Sequence, residues 1–520
     1  MDTIYSIADS SDLPDHVEIR GQLRVLPRTK IGYLPQSVQI AFTGSVEEYL
    51  DSCSGEVSRV FNHYNELTEL MSAQSPNEKT LDEYGEVMNR MNDLDAWDLP
   101  RQKTMILEGL GLSSEFLGRD MKEVSGGEAT KVALAGVLVS LPNLILMDEP
   151  SNNLDPKSLF FLEEWIKSST ASLLVVSHDR QFLDSVIDEI IEIDEATKGV
   201  IKFGGNYTFY AGKKQEMFEA QVRQFEDQTR KRKQLEEDAE RLRREAQKFE
   251  TTSKDAFYRA KGASLAKRAS NQLDRIERDL RSIPEPIPPR KPRITVFPTE
   301  AGQELLLGAS NISFTFPELE RRVLESVNFD VHGSDRVGII GPNGVGKTTF
   351  LRILLGEIEP NNGSVSLGRQ TRVSYLPQTS FLNNPKQSVI EFLRQKVSIR
   401  EDQARTLLGR VLFTDPSSMS VGNFSFGELR RIELIGIFAS QPNLIILDEP
   451  TNHLDVYTIE MLEEALRNYK GAVVTVSHDQ RFLVNMGVNK LAILDGTGEV
   501  RIQKVNFPSE LADIFQETFK

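Results

Sequence analysis

Apolar and polar positions fall into two distinct patterns along this chain. Short, almost unbroken apolar runs, the signature of parallel strands buried on both faces, occur at Leu144-Ile145-Leu146-Met147 and at Leu444-Ile445-Ile446-Leu447. Each is followed by Asp-Glu-Pro. A β-branched run, Asp335 to Ile340, predicts a strand that enters a glycine-rich turn, and Phe350 to Leu355 beyond it predict the first turns of a helix. The second pattern is helical. From Phe218, the positions Val222, Phe225 and Thr229 recur at heptad-like steps, and after a slip they resume at Leu235, Ala239, Leu242, Ala246 and Phe249. After a break at Thr251-Thr252-Ser253, Leu265, Ala269, Leu273, Ile276, Leu280 and Ile283 repeat the pattern as far as Pro284, where a proline-rich stretch begins. These segments predict an antiparallel helical hairpin whose first arm, from about Lys213 to Glu250, reaches roughly 55 Å at 1.5 Å per residue.

With 520 residues, 39% of them hydrophobic, the chain can bury two domain cores and a smaller third element. No apolar run approaches the roughly 20 residues of a membrane span, and the N-terminus lacks the basic and apolar regions of a secretion signal, so a cytoplasmic protein is expected. The single cysteine, Cys53, fits a reducing compartment and an inert thiol. The six histidines show no metal-ligand spacing. The net charge of −16 argues against simple binding to nucleic acid, but it is unevenly spread. Between Lys213 and Arg293 stand 22 basic and 15 acidic residues, a local balance of +7 that leaves −23 for the remainder.

The glycine-rich turn is Gly341-Pro342-Asn343-Gly344-Val345-Gly346-Lys347-Thr348-Thr349, a complete G-x-x-x-x-G-K-[ST] phosphate loop between a strand and a helix. Its glycines let backbone N–H groups turn inward around phosphates, Lys347 supplies a cation to the β and γ phosphates, and Thr348 offers a hydroxyl to Mg²⁺. A nucleoside triphosphate is the expected ligand.

Much of the chain is written twice. Ile31-Gly32-Tyr33-Leu34-Pro35-Gln36 matches Val373-Ser374-Tyr375-Leu376-Pro377-Gln378, and Ser125-Gly126-Gly127-Glu128 matches Ser425-Phe426-Gly427-Glu428. The segments ending in Asp148-Glu149 and Asp448-Glu449 correspond, as do Asn152 to Asp155 with Asn452 to Asp455, and Val176-Ser177-His178-Asp179 with Val476-Ser477-His478-Asp479. A nearly constant offset of about 300 residues is too long for a solenoid and marks two copies of one domain. Strands ending in Asp148-Glu149 and Asp448-Glu449 deliver carboxylates to the phosphate site, where the first acid holds Mg²⁺ through water and the second orients or deprotonates the attacking water.

In content and order these segments resemble the ATP-binding cassette superfamily, with Walker A, Q-loop, signature, Walker B, D-loop and H-loop. The resemblance implies an α/β fold of two tandem P-loop NTPase cassettes joined by an α-helical hairpin: a first cassette over 1–210, a basic hairpin over 211–292 and a second cassette over 293–520. It implies ATP and Mg²⁺ as cofactors, the metal held near Thr348, Gln378 and Asp448, with Lys347, Glu449 and His478 catalytic. Gln378 and His478 would sense the γ-phosphate. Phe316 would stack on adenine, although an aromatic in such a strand is otherwise more often core. Cassettes of this superfamily sandwich ATP between the Walker A of one and the signature of the other. The complete site therefore pairs Gly341 to Thr349, Gln378, Asp448, Glu449 and His478 with Ser125, Gly126, Gly127 and Glu128.

The other site is expected to be degenerate. It joins Gln36, Asp148, Glu149 and His178 to Ser425, Gly427 and Glu428, with Phe426 in place of a glycine. Its Walker A is not in the sequence, because the opening residues Met1-Asp2-Thr3-Ile4 fall where that loop should end. Either an upstream segment is missing or the first cassette lacks its phosphate loop, and Gln36, Asp148, Glu149 and His178 make sense chiefly in the first case.

Two cassettes in one chain with a basic hairpin between them resemble the ABC-F family of ribosome-associated ATPases. That resemblance implies a ribosomal partner, with the hairpin meeting rRNA and P-site tRNA, in a monomer whose two cassettes pair with each other. It leaves open a general translation factor or protection of the ribosome against antibiotics. Lys254, Arg259, Lys261, Lys267 and Arg268, with Phe257 and Tyr258 interleaved, could contact phosphates and stacked bases. Gly204-Gly205-Asn206-Tyr207 and Asp95 to Leu99 add weaker likenesses. The ATP-binding subunit of a transporter would give the hairpin no task, a DNA-associated cassette protein would need a longer one and a less acidic chain, and a nucleotide-binding regulator would hardly hydrolyse.

Overall fold

The computed structural model describes residues 24–26, 29–36, 38, 40, 42–73, 78–151, 154–193, 199–251, 267, 270–271, 274–276, 278, 294–296, 304–316, 321–378, 384–397, 399–411, 419–452 and 454–519. They form two compact units, one of Met1–Val186 with Pro292–Lys520 and one of Ile187–Lys291.

In the first unit, each repeat builds a sheet whose central strands are parallel. The first repeat contributes β1 (Ile31–Leu34), β2 (Leu144–Asp148) and β3 (Ser172–Val176) in that order. The second unit holds β4 (Glu189–Ile193) and β5 (Val200–Gly204), an antiparallel pair. The second repeat opens with β6 (Leu305–Phe316), β7 (Arg321–His332), β8 (Arg336–Ile340) and β9 (Asn362–Leu367), of which β7, β6 and β9 form an antiparallel sheet. It continues with β10 (Val373–Leu376), β11 (Leu444–Asp448), β12 (Ala472–Val476), β13 (Lys490–Leu494) and β14 (Val500–Lys504), and its six-stranded sheet runs β10-β11-β12-β8-β13-β14. The repeat extends to the register. Ile31 lies opposite Leu144 as Val373 lies opposite Leu444, and Asp148 and Asp448 pair with Val176 and Val476.

The apolar runs become strands because both faces are covered. Residues of β11 alternate between two cores: Leu444 and Ile446 pack with Val337, Phe350 and Val474, whereas Ile445 and Leu447 pack with Leu462, Phe482 and Leu491. All five residues of β11 are buried. In the second repeat β8 stands between β12 and β13 and so joins the β13-β14 pair to the main sheet. Among the described residues of the first repeat no strand occupies the place beside β3, and β4 and β5 pair with each other and belong to the second unit. The compact units divide after Val186 and after Lys291.

The long helix runs over Tyr207–Thr251, six residues earlier than its heptad pattern predicts. Asn206 Oδ1 accepts the Phe209 N–H at 3.1 Å and caps it, while Tyr207 and Tyr210 pack together and Phe203 packs on Tyr210. At roughly 1.5 Å per residue its 45 residues span about 68 Å. Its less exposed stripe passes Phe218, Val222, Phe225, Gln228, Arg232, Leu235 and Ala239 without the expected slip, and Thr229 is exposed. The helical period carries the stripe through polar positions, where the half-buried Arg232 pairs with Glu236 at 3.1 Å. Of the second arm, Lys267, Ser270, Asn271, Asp274 to Ile276 and Arg278 are helical. Lys254, Phe257, Tyr258, Arg259, Lys261 and Arg268 lie outside the described residues.

Candidate functional site

The phosphate loop connects β8 to a helix that begins at Lys347 itself, Lys347–Leu354. Gly341, Gly344 and Gly346 have φ of 155°, 76° and 107°, a region that side chains rarely adopt. A Cβ at Gly341 would strike the Leu494 carbonyl, and one at Gly346 would strike Val323. Lys347 is 8% exposed, and its Nζ donates to the carbonyl oxygens of Gly341 and Pro342 at 2.8 and 2.9 Å. Burial lowers its pKa, while the charges of Glu449, Asp448 and Asp155 pull it back up.

Asp448, at the end of β11, is fully buried. Desolvation raises its carboxyl pKa, and the Thr348 hydroxyl and Lys347 work in the other direction. Both of its oxygens are enclosed beside Thr348 without a well-formed hydrogen bond, a pair of hard oxygen donors suited to a magnesium ion. Among the described residues no cluster of three or more His, Cys, Asp or Glu could hold a metal alone.

Glu449 follows in an unusual backbone state, φ 45°, with its N–H donated to the Val476 carbonyl at 3.0 Å. Glu149 repeats this with φ 51° and a 2.8 Å bond to Val176. A glutamate held at positive φ costs on the order of 1 kcal/mol, so the same strain at both strand ends marks a side chain that must turn into the site. Glu449 is 7% exposed. Burial pushes its pKa up to about 7, with Lys347 opposing and Asp448 reinforcing the rise. His478 Nε2 lies 3.3 Å from Glu449 Oε1, and burial followed by the Lys347 charge drives the imidazole down to about 3. The contact joins a neutral imidazole to a carboxyl poised near neutrality. In the first repeat Glu149, also raised to about 7 by burial, accepts the His178 N–H at 3.3 Å, and His178 Nε2 lies 3.5 Å from it.

These groups line a cleft of about 1180 Å³. From the second repeat it receives Phe316, Asn343, Gly344, Gly346, Lys347, Thr348, Thr349, Gln378, Glu449 and His478, and from the first Gln36, Glu149 and His178. Ser425, Phe426, Gly427 and Glu428 also line it. Gly341, Pro342, Val345, Asp148, Asp448 and Ser125 to Glu128 are not among the residues that line it. Both signatures are used at once as helix caps. Ser125 and Glu128 form a capping box on the helix Gly126–Val139, as Ser425 and Glu428 do on Phe426–Ala439. Hydrogen bonds from Ser125 hold the Glu128 carboxyl below its ordinary range.

Two aspartates absent from the expected site cross between the repeats. Asp155 caps the helix Pro156–Ser168, receives the Ser158 N–H at 2.8 Å and lies 3.6 Å from Lys131, and its charge acts on Lys347 and His478. Asp455 caps Val456–Asn468, is held by Arg431, and acts on His178. The repeat contained both aspartates, but spacing could not show that each faces the opposite copy.

The ABC transporter family model matches residues 8–152 and 324–452, so both repeats carry the same domain. The chain belongs to the ABC transporter family. Its tandem cassettes are of the ABC-F type, and it is an ATP hydrolase. Over 459 residues it is 31% identical to the energy-dependent translational throttle protein EttA of Mycobacterium tuberculosis, covering 87% of this chain and 78% of that one. It is also 31% identical over 401 residues to the probable ATP-binding protein YheS of Escherichia coli, covering 76% of this chain and 59% of the relative. An archaeal ribosome recycling factor, aABCE1, solved with the stalk protein aP1, has the same fold at a TM-score of 0.58 and 19% identity, covering 94% and 77% of the two chains. Among the described residues no helix is long and apolar enough to cross a membrane.

Proposed function

We propose that this ATPase acts on the ribosome, with nucleotide state in the cassettes governing its association. The observation that carries the reading is the pairing of two cassettes with a 45-residue helix in a compact unit of its own, where neither unit provides a membrane-spanning helix among its described residues. The likeness to a protein named as a translational throttle supports the same direction. The segment from Lys213 to Arg293 carries the positive balance that RNA phosphates would attract, and Lys254, Arg259, Lys261, Lys267 and Arg268 are the proposed contacts to rRNA and tRNA.

In the cassettes, the loop Gly341 to Thr349 holds the phosphates, Phe316 stacks on adenine, and Lys347 exchanges its carbonyl partners for phosphate oxygens. Thr348, Asp448 and Gln378 would hold Mg²⁺, which neutralises phosphate charge when bound. Glu449 takes the proton of, or aligns, the attacking water, and neutral His478 donates to the γ-phosphate. For ATP to be sandwiched, Ser125 to Glu128 must approach this loop, and that movement couples nucleotide state to ribosome affinity.

Co-sedimentation with ribosomes tests the reading. Binding should depend on ATP and be retained when hydrolysis is blocked. ATP-independent sedimentation, or none, would direct attention to a membrane partner or a nucleotide-binding regulator instead.

A further inference from the structure

The repeats diverge two residues after the histidine, where Arg180 stands against Gln480. Arg180 is 2% exposed and reaches from the first cassette into the second. Its guanidinium grips Glu463 with two prongs, Nη1 donating to Oε2 at 3.1 Å and Nη2 to Oε1, and Nη2 also lies 3.5 Å from Asp479 Oδ2. Asn485 Nδ2 donates to the same Glu463 carboxylate at 2.9 Å.

Both carboxylates sit on elements that serve the cleft. Glu463 lies on the helix Val456–Asn468 that begins at the capping Asp455. Asp479 immediately follows His478, with its Oδ1 accepting the Phe482 N–H at 2.8 Å and its own N–H donated to Ser477 Oγ at 3.1 Å. Other contacts between these two segments are lighter. Arg481 Nη1 meets Asp184 at 3.1 Å with the partners 32% and 24% exposed, and Gln181 meets Gln480 at 3.2 Å. A planar fork on a buried carboxylate is held far more rigidly than an exposed pair of long side chains.

We propose that Arg180 is a positioning residue for hydrolysis at the second-cassette site: it fixes Asp479, and through Asp479 the backbone that presents His478. The first cassette, whatever its own turnover, thereby sets the geometry of its neighbour's histidine. The inference rests on the reading of His478 as the residue that meets the γ-phosphate.

Steady-state ATPase assays on the full chain test it. Arg180→Gln should lower kcat ten- to a hundredfold, the scale on which small misplacements act, and change KM for ATP less than threefold. Arg180→Lys keeps the charge but not the fork, so it should show a smaller loss of the same kind, and it carries the test should the glutamine variant not fold. In a His478→Ala background Arg180→Gln should cost no more than a further twofold, because the group it positions is gone. Multiplying losses, an unchanged kcat in the Arg180 variants, or an equal loss from Arg481→Gln would each overturn the proposal. If His478→Ala alone keeps the wild-type kcat, the reading of His478 fails; if it loses activity and the Arg180 variants do not, only the positioning role fails.

Discussion

Replacing Glu449 by glutamine separates chemistry, binding and stability in one variant. The side chain keeps its shape and its φ of 45°, but loses a carboxyl that is 7% exposed and raised from 4.5 to about 7. A base in contact with the attacking water is worth about 10² to 10⁴ in rate, so turnover should fall by that factor while ATP binding persists. The stability effect follows from the raised pKa. A carboxyl that ionises more reluctantly in the folded state destabilises the fold progressively as pH climbs from 4.5 to about 7, and the full penalty is present above it. A rise of that size corresponds to about 3 kcal/mol at pH 8 as an upper bound, and to almost nothing at pH 4.

Glutamine does not titrate. Without nucleotide, Glu449→Gln should therefore match the wild type in thermal unfolding near pH 4.5 and exceed it at pH 8 by on the order of 5 °C. The wild-type turnover should rise with pH through about 7 or above, since bound phosphate raises the carboxyl further, and His478, neutral above about 3, should add no inflection. Calorimetry at the two pH values and a pH profile of kcat supply the measurements. Equal melting increments at both pH values, or turnover within threefold of the wild type, would refute the assignment of Glu449 as a buried, poised base.

Lys347→Ala should abolish turnover and weaken binding of a fluorescent ATP analogue, because this is the cation at the loop's centre; wild-type turnover would place the chemistry elsewhere. Glu149→Gln should lower multiple-turnover kcat less than tenfold, since the phosphate loop Gly341 to Thr349 belongs with Glu449, and a loss equal to that of Glu449→Gln would contradict this. Reversing Lys254, Arg259, Lys261, Lys267 and Arg268 to glutamate should weaken ribosome co-sedimentation and leave ribosome-free ATPase within twofold. Wild-type co-sedimentation should also decline steeply with salt, as counterion release requires, and equally strong sedimentation of the reversed variant would remove the RNA-contact role.

How much of this was legible in the sequence depended on how locally each feature is encoded. A phosphate loop states its own chemistry because glycine spacing is a backbone requirement, and Gly341, Gly344 and Gly346 all stand at positive φ. The buried strands β2 and β11 were legible because both faces of a parallel strand need apolar residues, and the duplication fixed which carboxylates correspond. The long helix was legible as a helix but not in its seam, where Gln228 and Arg232 occupy the less exposed stripe and Thr229 does not. Polar residues there carry no hydrophobic signal.

The relation between the copies was the least legible part, because it depends on contacts across about 300 residues. Sequence pairs Ser125 to Glu128 with the loop at Lys347 by resemblance alone; in the structure Ser425 to Glu428 line the cleft, and the charge of Asp155 acts on Lys347 and His478. A duplicated chain diverges where its two halves take different tasks, so the informative positions are the ones where the match fails. Phe426 against Gly126 and Arg180 against Gln480 are two such positions, and both lie where one cassette faces the other. The asymmetry of this ATPase is therefore written at the junction of its halves, in residues that a search for repeated motifs passes over.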